Sequence, residues 1–138
     1  AFVENLGYAC REAARSGITI LIEPLNHYNA PGYFLHGTEQ AVSIIREVRQ
    51  PNLRMMFDCY HVQIMEGDVT RRLQTLLPFV GHIQIASVPD RGVPDHGELD
   101  YGYVLPRIAA MGWEHPIGAE YLPGSSAETD MSWLARYR

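Results

Sequence analysis

Two patterns of hydrophobic residues alternate along the 138-residue chain. Short, nearly uninterrupted apolar runs are typical of strands that are buried on both faces. Longer segments place their apolar residues three or four positions apart, which predicts helices with one buried face. The strand pattern occurs in residues 18–22, 53–57, 81–86 and 117–121.

Helical spacing fills the segments between the predicted strands. The first helix occupies residues 1–17 and ends at a glycine, a common helix terminator. Strands that alternate with helices in this way predict parallel β/α units. Thr38 and Asp68 are predicted to cap the next two helices, and a further helix is predicted to begin at about Tyr101. Ser125 and Glu128 form a capping box that opens the last helix.

The connections differ in length. After the second strand come Asp58-Cys59-Tyr60-His61 and a predicted short turn to Gly67, whereas residues 24–37 and 87–100 are long loops rich in Pro, Gly and polar side chains. Loops that follow a parallel strand usually span about two to six residues. The two long loops are therefore expected to contribute to function.

Composition narrows the class of protein. Hydrophobic residues make up 46% of the chain and charged residues 20%, as in ordinary globular proteins. The net charge of −5, with no basic cluster longer than Arg71-Arg72, argues against a nucleic-acid partner. No apolar run approaches the roughly 20 residues of a membrane span, so we expect a cytoplasmic protein. The two cysteines, Cys10 and Cys59, are predicted to be buried thiols.

Each predicted strand ends on, or encloses, one side chain with a metal-binding oxygen. Glu23, Asp58, Gln84 and Glu120 are separated by 35, 26 and 36 residues. A β/α unit of a (β/α)8 barrel takes roughly 30 residues, and the carboxyl ends of its strands converge on one point. Three carboxylates and an amide there predict an oxygen-rich site for Mg2+ or Mn2+.

Four strands amount to half of the eight in such a barrel. The chain also begins without a methionine, inside a predicted helix. We therefore expect residues 1–138 to be one segment that forms about half of a TIM (β/α)8 barrel. Its open sheet edges and exposed interior predict self-association or pairing with a missing half.

Five motifs in order resemble the hydroxypyruvate isomerase family, which belongs to the xylose isomerase-like TIM barrels. The resemblance covers residues 18–121 and matches the carboxyl-terminal half of a family member. The motifs are Ile22-Glu23-Pro24-Leu25-Asn26, Phe57-Asp58-Cys59-Tyr60-His61, Gly81-His82-Ile83-Gln84-Ile85-Ala86, Pro94-Asp95-His96-Gly97-Glu98-Leu99-Asp100-Tyr101 and Gly118-Ala119-Glu120-Tyr121.

The resemblance implies roles for individual residues. Metal ligation falls to Glu23, Asp58, Gln84 and Glu120. The pair Glu23 and Glu120 also matches the residues that move the proton. His61 and Arg91 match positions that contact the substrate. The implied reaction is the interconversion of an α-hydroxy ketone and an α-hydroxy aldehyde of a small oxo acid, hydroxypyruvate and tartronate semialdehyde, through an enediolate.

Three alternatives remain open. An isomerase of a longer 2-oxo acid sugar, or a ketose 3-epimerase, would use the same metal and the same two glutamates. A non-catalytic half barrel that needs a complementary half would account for the missing strands. A metal-dependent endonuclease on a related barrel is the third alternative, which the acidic balance disfavours.

Overall fold

Four parallel strands with helices on one side form the structure, a computed structural model that describes residues 1–123 and 131–137. The strands are β1 (Ile20–Ile22), β2 (Leu53–Asp58), β3 (Val80–Ile85) and β4 (Ile117–Ala119). Their order in the sheet follows their order in the chain, β1-β2-β3-β4, and every pairing is parallel. This is the arrangement expected of successive β/α units.

Helices connect the strands. They are α1 (Phe2–Ala14), α2 (Thr38–Val48), α3 (Cys59–Met65), α4 (Val69–Leu76) and α5 (Tyr101–Ala110), with 3-10 turns at Leu77–Phe79 and Ser132–Tyr137. No helix within residues 1–123 and 131–137 is long and apolar enough to cross a membrane. The cytoplasmic location remains a prediction.

The hydrophobic core lies between the sheet and the helices. Alternate residues of β2, namely Leu53, Met55 and Phe57, are almost fully buried, as are Ile83 and Ile85 of β3. They pack with the apolar faces of the helices in one cluster. Both cysteines are free and buried, as predicted.

The opposite face of the sheet is only half covered. Arg54 and Met56 of β2, and His82 and Gln84 of β3, alternate with the core residues and are partly buried. In a closed (β/α)8 barrel this face lines the interior. The side chains predicted to bind a metal therefore belong to the face that a second half of the barrel would enclose.

Two predictions about local structure were wrong. The segment between His61 and Gly67 is not simply a short turn, because α3 occupies Cys59–Met65. Thr38 does not cap α2: Gly37 is the N-cap, and the Thr38 hydroxyl donates to Oε2 of Glu66 at 2.9 Å. A tertiary partner thus takes the hydroxyl that sequence reasoning assigned to the helix end.

The other helix starts agree with the prediction in position. Asp68 precedes α4 as its N-cap residue, although its side chain makes no capping hydrogen bond and its φ is +50°. Asp100 caps α5 by accepting from the backbone N–H of Gly102 at 2.9 Å. The predicted capping box of Ser125 and Glu128 lies outside the described residues.

Candidate active site

Asp58 belongs to two structural elements. It is the last residue of β2 and the N-cap of α3, where its Oδ1 accepts from the backbone N–H of Tyr60 at 2.8 Å. The cap fixes the carboxylate at the carboxyl end of the strand. The second oxygen, Oδ2, is buried and has no hydrogen-bond partner.

Glu23 and His61 meet Asp58 at this end of the sheet. Nε2 of His61 lies 3.7 Å from Oδ2 of Asp58 and 3.8 Å from Oε1 of Glu23. Ligand atoms of the three residues all lie within 4.8 Å of one another. Asp58 and His61 are almost completely buried, and the Glu23 side chain is 26% exposed. The geometry thus brings together residues that are 35 and 38 positions apart in the chain.

Gln84 lies beside Asp58 in the sheet. The register pairs Asp58 of β2 with Gln84 of β3, and Gln84 in turn with Gly118 of β4. Oε1 of Gln84 is buried without a hydrogen-bond partner, like Oδ2 of Asp58 and Oε1 of Glu23. Buried polar atoms are normally hydrogen-bonded, so three unpaired oxygens at one end of a sheet indicate that something else satisfies them. A divalent cation fits this set of donors.

Glu120 follows β4 and pairs with Arg91. Nη2 of Arg91 donates to Oε2 of Glu120 at 2.7 Å, and the Glu120 side chain is half exposed. The Arg91 guanidinium also lies 5.2 Å above the Tyr60 ring. Glu120 is therefore held after the end of β4 by an ion pair with Arg91.

The acidic groups of the cluster shift one another's pKa. Burial, together with the negative charges of Asp58 and Glu120, raises the pKa of Glu23 to about 7, although the Arg91 charge opposes the shift. Burial raises the pKa of Asp58 to about 6, although the N–H donated by Tyr60 opposes the shift. Burial and the nearby Arg91 charge lower the pKa of His61 to about 4. Perturbed pKa values of this kind cluster at functional sites.

Sequence reasoning missed the residues that support the cluster. The backbone N–H of Asn26 donates to Nδ1 of His61 at 3.0 Å, and the Tyr60 hydroxyl donates to Oδ1 of Asn29 at 2.9 Å. Asn26 and Asn29 stand three residues apart in the long loop after β1, which was a weak signal for a polar turn. Gly118 was also missed: a Cβ there would lie 2.9 Å from Nε2 of His82.

The loop after β3 holds Arg91 in place. The backbone N–H of Leu122 donates to the Arg91 carbonyl at 2.8 Å, which ties the loop to the segment after β4. His96 lies between two carboxylates, 2.9 Å from Asp90 and 2.7 Å from Asp95. These exposed contacts brace the loop.

The pKa of Glu23 leads to a prediction for the metal-free protein. The pKa of its carboxyl is the ordinary 4.5 in the unfolded chain and about 7 in the folded protein. Between these two pH values the folded state therefore binds more protons than the unfolded state. Stability from this group is present below about pH 4.5 and is lost as the pH rises to 7. We expect Glu23→Gln to raise the free energy of unfolding at pH 8 by up to about 3 kcal/mol and to leave it nearly unchanged at pH 4.5.

Denaturant titration of metal-free protein at both pH values measures this difference. Glu47→Gln is the matched control, because Glu47 is an exposed carboxylate on α2. An equal effect of Glu23→Gln at pH 4.5 and pH 8 would show that the Glu23 carboxyl is not destabilised by burial.

The chain is similar in sequence to a known family and to characterised proteins. Residues 1–137 match the family described as xylose isomerase-like TIM barrel. The chain is 44% identical to 2-oxo-tetronate isomerase from Cupriavidus necator over 136 residues, covering 99% of this chain and 52% of that protein. It is 40% identical to hydroxypyruvate isomerase from Escherichia coli over 136 residues, covering 99% of this chain and 53% of that protein.

A solved structure shows the same fold. The crystal structure of AP endonuclease, family 2 from Brucella melitensis matches with a TM-score of 0.93 and 44% identity, covering 99% of this chain and 53% of that one. The chain spans about half the length of the curated relatives that it matches. The predicted half of a TIM barrel is thereby confirmed.

Proposed function

Because the chain belongs to the xylose isomerase-like TIM barrel family, we propose that it forms the catalytic half of a metal-dependent isomerase of a small hydroxy-oxo acid. The favoured reaction is the interconversion of hydroxypyruvate and tartronate semialdehyde. The observation that carries the proposal is the group of unpaired buried oxygens of Glu23, Asp58 and Gln84 beside His61. The two curated relatives are named as isomerases of such acids, which supports the substrate class.

Glu23, Asp58, Gln84 and Glu120 are the proposed metal ligands. Three carboxylates and an amide suit Mg2+ or Mn2+, which prefer oxygen. The cation would supply positive charge that stabilises the enediolate as it forms. Its charge would also favour the ionised forms of Glu23 and Asp58, whose pKa values are raised by burial and by neighbouring carboxylates.

Glu23 and Glu120 are the proposed proton-transfer groups. The reaction takes a proton from the hydroxyl-bearing carbon and returns one to the former carbonyl carbon, while the hydroxyl proton passes to the other oxygen. A bound cation would keep the Glu23 carboxylate ionised, so that it can accept a proton from the neighbouring carbon. Glu120 then acts on the neighbouring carbon, and the two exchange roles in the reverse direction.

Arg91 and His61 are the proposed substrate contacts. The guanidinium of Arg91 pairs with Glu120 and stacks over Tyr60, so its charge is directed at the site. A substrate carboxylate matches its planar donors. His61 faces the space between Glu23 and Asp58, where the reacting oxygens would lie.

An assay of the full-length protein with a substrate panel tests the proposal. We expect turnover of hydroxypyruvate after reconstitution with Mg2+ or Mn2+, and loss of turnover after chelation. The longer 2-oxo-tetronate and a ketohexose test the two related alternatives, a 2-oxo acid sugar isomerase and a ketose 3-epimerase. Metal-independent turnover, or turnover of none of these compounds, would contradict the proposal.

A nuclease is the second candidate, because the related crystal structure carries the name of an AP endonuclease. The acidic net charge and the cluster of carboxylates disfavour binding of a phosphate backbone. A duplex with one abasic site, incubated with the metal-loaded protein, distinguishes the two functions. Strand cleavage without isomerisation would favour the nuclease.

The chain is also proposed to act only with a complementary half of the barrel. The half-covered face of the sheet includes Met56 and His82, and β1 and β4 are the outer strands of the described sheet. Such edges and faces are normally covered in native proteins. A second half in the same polypeptide, or a second copy of this chain, would cover them. The alternative of a non-catalytic half predicts a folded segment that never gains activity when such a half is supplied.

A further inference from the structure

Asn26 holds His61 from the side opposite the carboxylates. The backbone N–H of Asn26 donates to Nδ1 of His61 at 3.0 Å, and Nδ2 of the Asn26 side chain lies 2.8 Å from the same ring nitrogen. Both residues are almost completely buried. The contact joins the loop after β1 to helix α3.

The rest of the loop fixes which way the Asn26 amide points. Its Oδ1 accepts from the backbone N–H of Tyr28 at 3.0 Å and of Asn29 at 2.9 Å. Its Nδ2 donates to Oδ1 of Asn29 at 2.7 Å. The oxygen is therefore turned toward the loop and the nitrogen toward the ring. Both Asn26 groups that reach Nδ1 of His61 are donors.

Two donors at Nδ1 determine the position of the ring proton. A backbone N–H can only donate, so Nδ1 must present its lone pair. A neutral imidazole has a single N–H, which therefore lies on Nε2. Nε2 is buried without a hydrogen-bond partner and faces Glu23 and Asp58.

We propose that Asn26 is a positioning residue that fixes His61 in the tautomer with the proton on Nε2, which makes His61 a hydrogen-bond donor and excludes it from the metal ligands. A histidine that binds a metal usually donates its other ring N–H to a neighbour. Here the other ring nitrogen accepts. His61 thus lacks a lone pair at Nε2, although the distances alone would group it with Glu23 and Asp58.

The donor has a chemical use in the proposed reaction, on which this step of the inference rests. Removal of a proton next to a carbonyl builds negative charge on the carbonyl oxygen. A fixed N–H in a buried site stabilises that charge without rearrangement during the reaction. The expected acceptor of the Nε2 proton is therefore an oxygen of the hydroxy-oxo acid.

The tautomer is measured directly by long-range 1H–15N NMR on the full-length protein with 15N-labelled histidine rings. The His61 signals are assigned by their loss in His61→Gln. We expect Nε2 to give a protonated, pyrrole-type signal and Nδ1 an unprotonated, pyridine-type signal. Both should persist when Mg2+ is added. A protonated Nδ1, or loss of the Nε2 proton on addition of Mg2+, would overturn the proposal.

Asn26→Asp tests the role of the amide. Aspartate keeps an oxygen for the N–H groups of Tyr28 and Asn29 but places an acceptor where Nδ2 faced the ring. A charged acceptor outweighs the neutral backbone N–H of residue 26, which remains in the variant, so we expect a proton to appear on Nδ1. We expect kcat to fall about 10- to 100-fold, while Mg2+ affinity is not reduced. An unchanged ring signal in Asn26→Asp would contradict the role of Asn26.

Asn52→Asp is the matched control. Nδ2 of Asn52 donates to the carbonyls of Cys10 at 2.8 Å and Ile18 at 3.0 Å. Asn52 precedes β2, whereas His61 follows its carboxyl end. The control loses the same kind of amide donor, so it reports general destabilisation. It should leave the His61 ring signals unchanged. A shift of those signals equal to that of Asn26→Asp would show that the effect is not specific to Asn26.

The two proposals fail separately. Protein that turns over no hydroxy-oxo acid but keeps the proton on Nε2 would refute the proposed function and leave the tautomer intact. Active, metal-dependent protein with a proton on Nδ1 would refute the role of Asn26 and leave the function intact.

Discussion

Turnover should be nearly abolished in the full-length protein when Glu23 or Glu120 is replaced by glutamine, although metal should remain bound. Glutamine keeps an oxygen that can coordinate the metal, but its amide is not basic enough to take a proton from carbon. General acid-base groups typically contribute about 10²- to 10⁴-fold to the rate. Because each glutamate is also a proposed ligand, we expect kcat to fall by at least this range.

Steady-state kinetics with parallel metal analysis measures the effect. Exchange of the substrate's carbon-bound proton with deuterium from the solvent, followed by NMR, reports the two proton-transfer steps separately from turnover. Glu98→Gln is the control, because Glu98 is an exposed carboxylate in the same loop as Arg91. If both glutamine variants turned over substrate at near the parent rate with metal bound, the two-glutamate mechanism would be wrong.

The second large effect is expected from Asp58→Asn, which should weaken metal binding. Asparagine can still cap α3, because asparagine is as good an N-cap as aspartate, so the fold should be kept. The substitution removes one negative charge from a fully buried position that is a proposed metal ligand. Loss of an outer partner of a metal ligand typically costs about 10- to 100-fold in affinity, and a ligand itself should cost at least as much.

Titration with Mn2+ under parallel activity measurement tests this expectation. Activity of Asp58→Asn should return in part at high Mn2+, unlike that of Glu23→Gln. Asp68→Asn is a matched control, since Asp68 is an exposed N-cap whose nearest cation is Arg71 at 3.7 Å. An unchanged Mn2+ affinity in Asp58→Asn would remove Asp58 from the ligand set.

Much of the architecture could be predicted from the sequence. Apolar runs buried between two layers leave a continuous hydrophobic pattern, and each such run became a parallel strand in chain order. The strand boundaries shifted by a few residues; β1, for example, begins at Ile20 rather than at residue 18. Ends of strands depend on hydrogen-bonded neighbours, which a single sequence does not specify.

Helix α3 was missed for a related reason. Its N-cap, Asp58, was interpreted only as a candidate ligand, although an aspartate before a helix is also a capping signal. The helix is seven residues long, too short for its spacing to stand out. An aspartate at this position can be interpreted either as a metal ligand or as a helix cap, and the sequence alone does not show that it is both.

The candidate site was predictable only in part. Asp58 and Gln84 were expected to meet because parallel strands end at the same edge, and they are paired in the sheet register. The hydrogen bond from Asn26 to His61 joins residues 35 positions apart through a loop and a helix. No local pattern encodes such a contact. The ion pair between Arg91 and Glu120 is similarly a product of tertiary structure.

The cap made by Asp58 also limits its denticity. One carboxylate oxygen accepts from the N–H of Tyr60 and the other, Oδ2, has no partner, so we expect Asp58 to coordinate a cation through Oδ2 alone. Gln84 likewise has one carbonyl oxygen to offer. If Glu23 and Glu120 also offered one oxygen each, the four proposed ligands would supply four of the six oxygens that Mg2+ takes. An α-hydroxy carbonyl compound brings two neighbouring oxygens, so the protein would leave room for a chelating substrate.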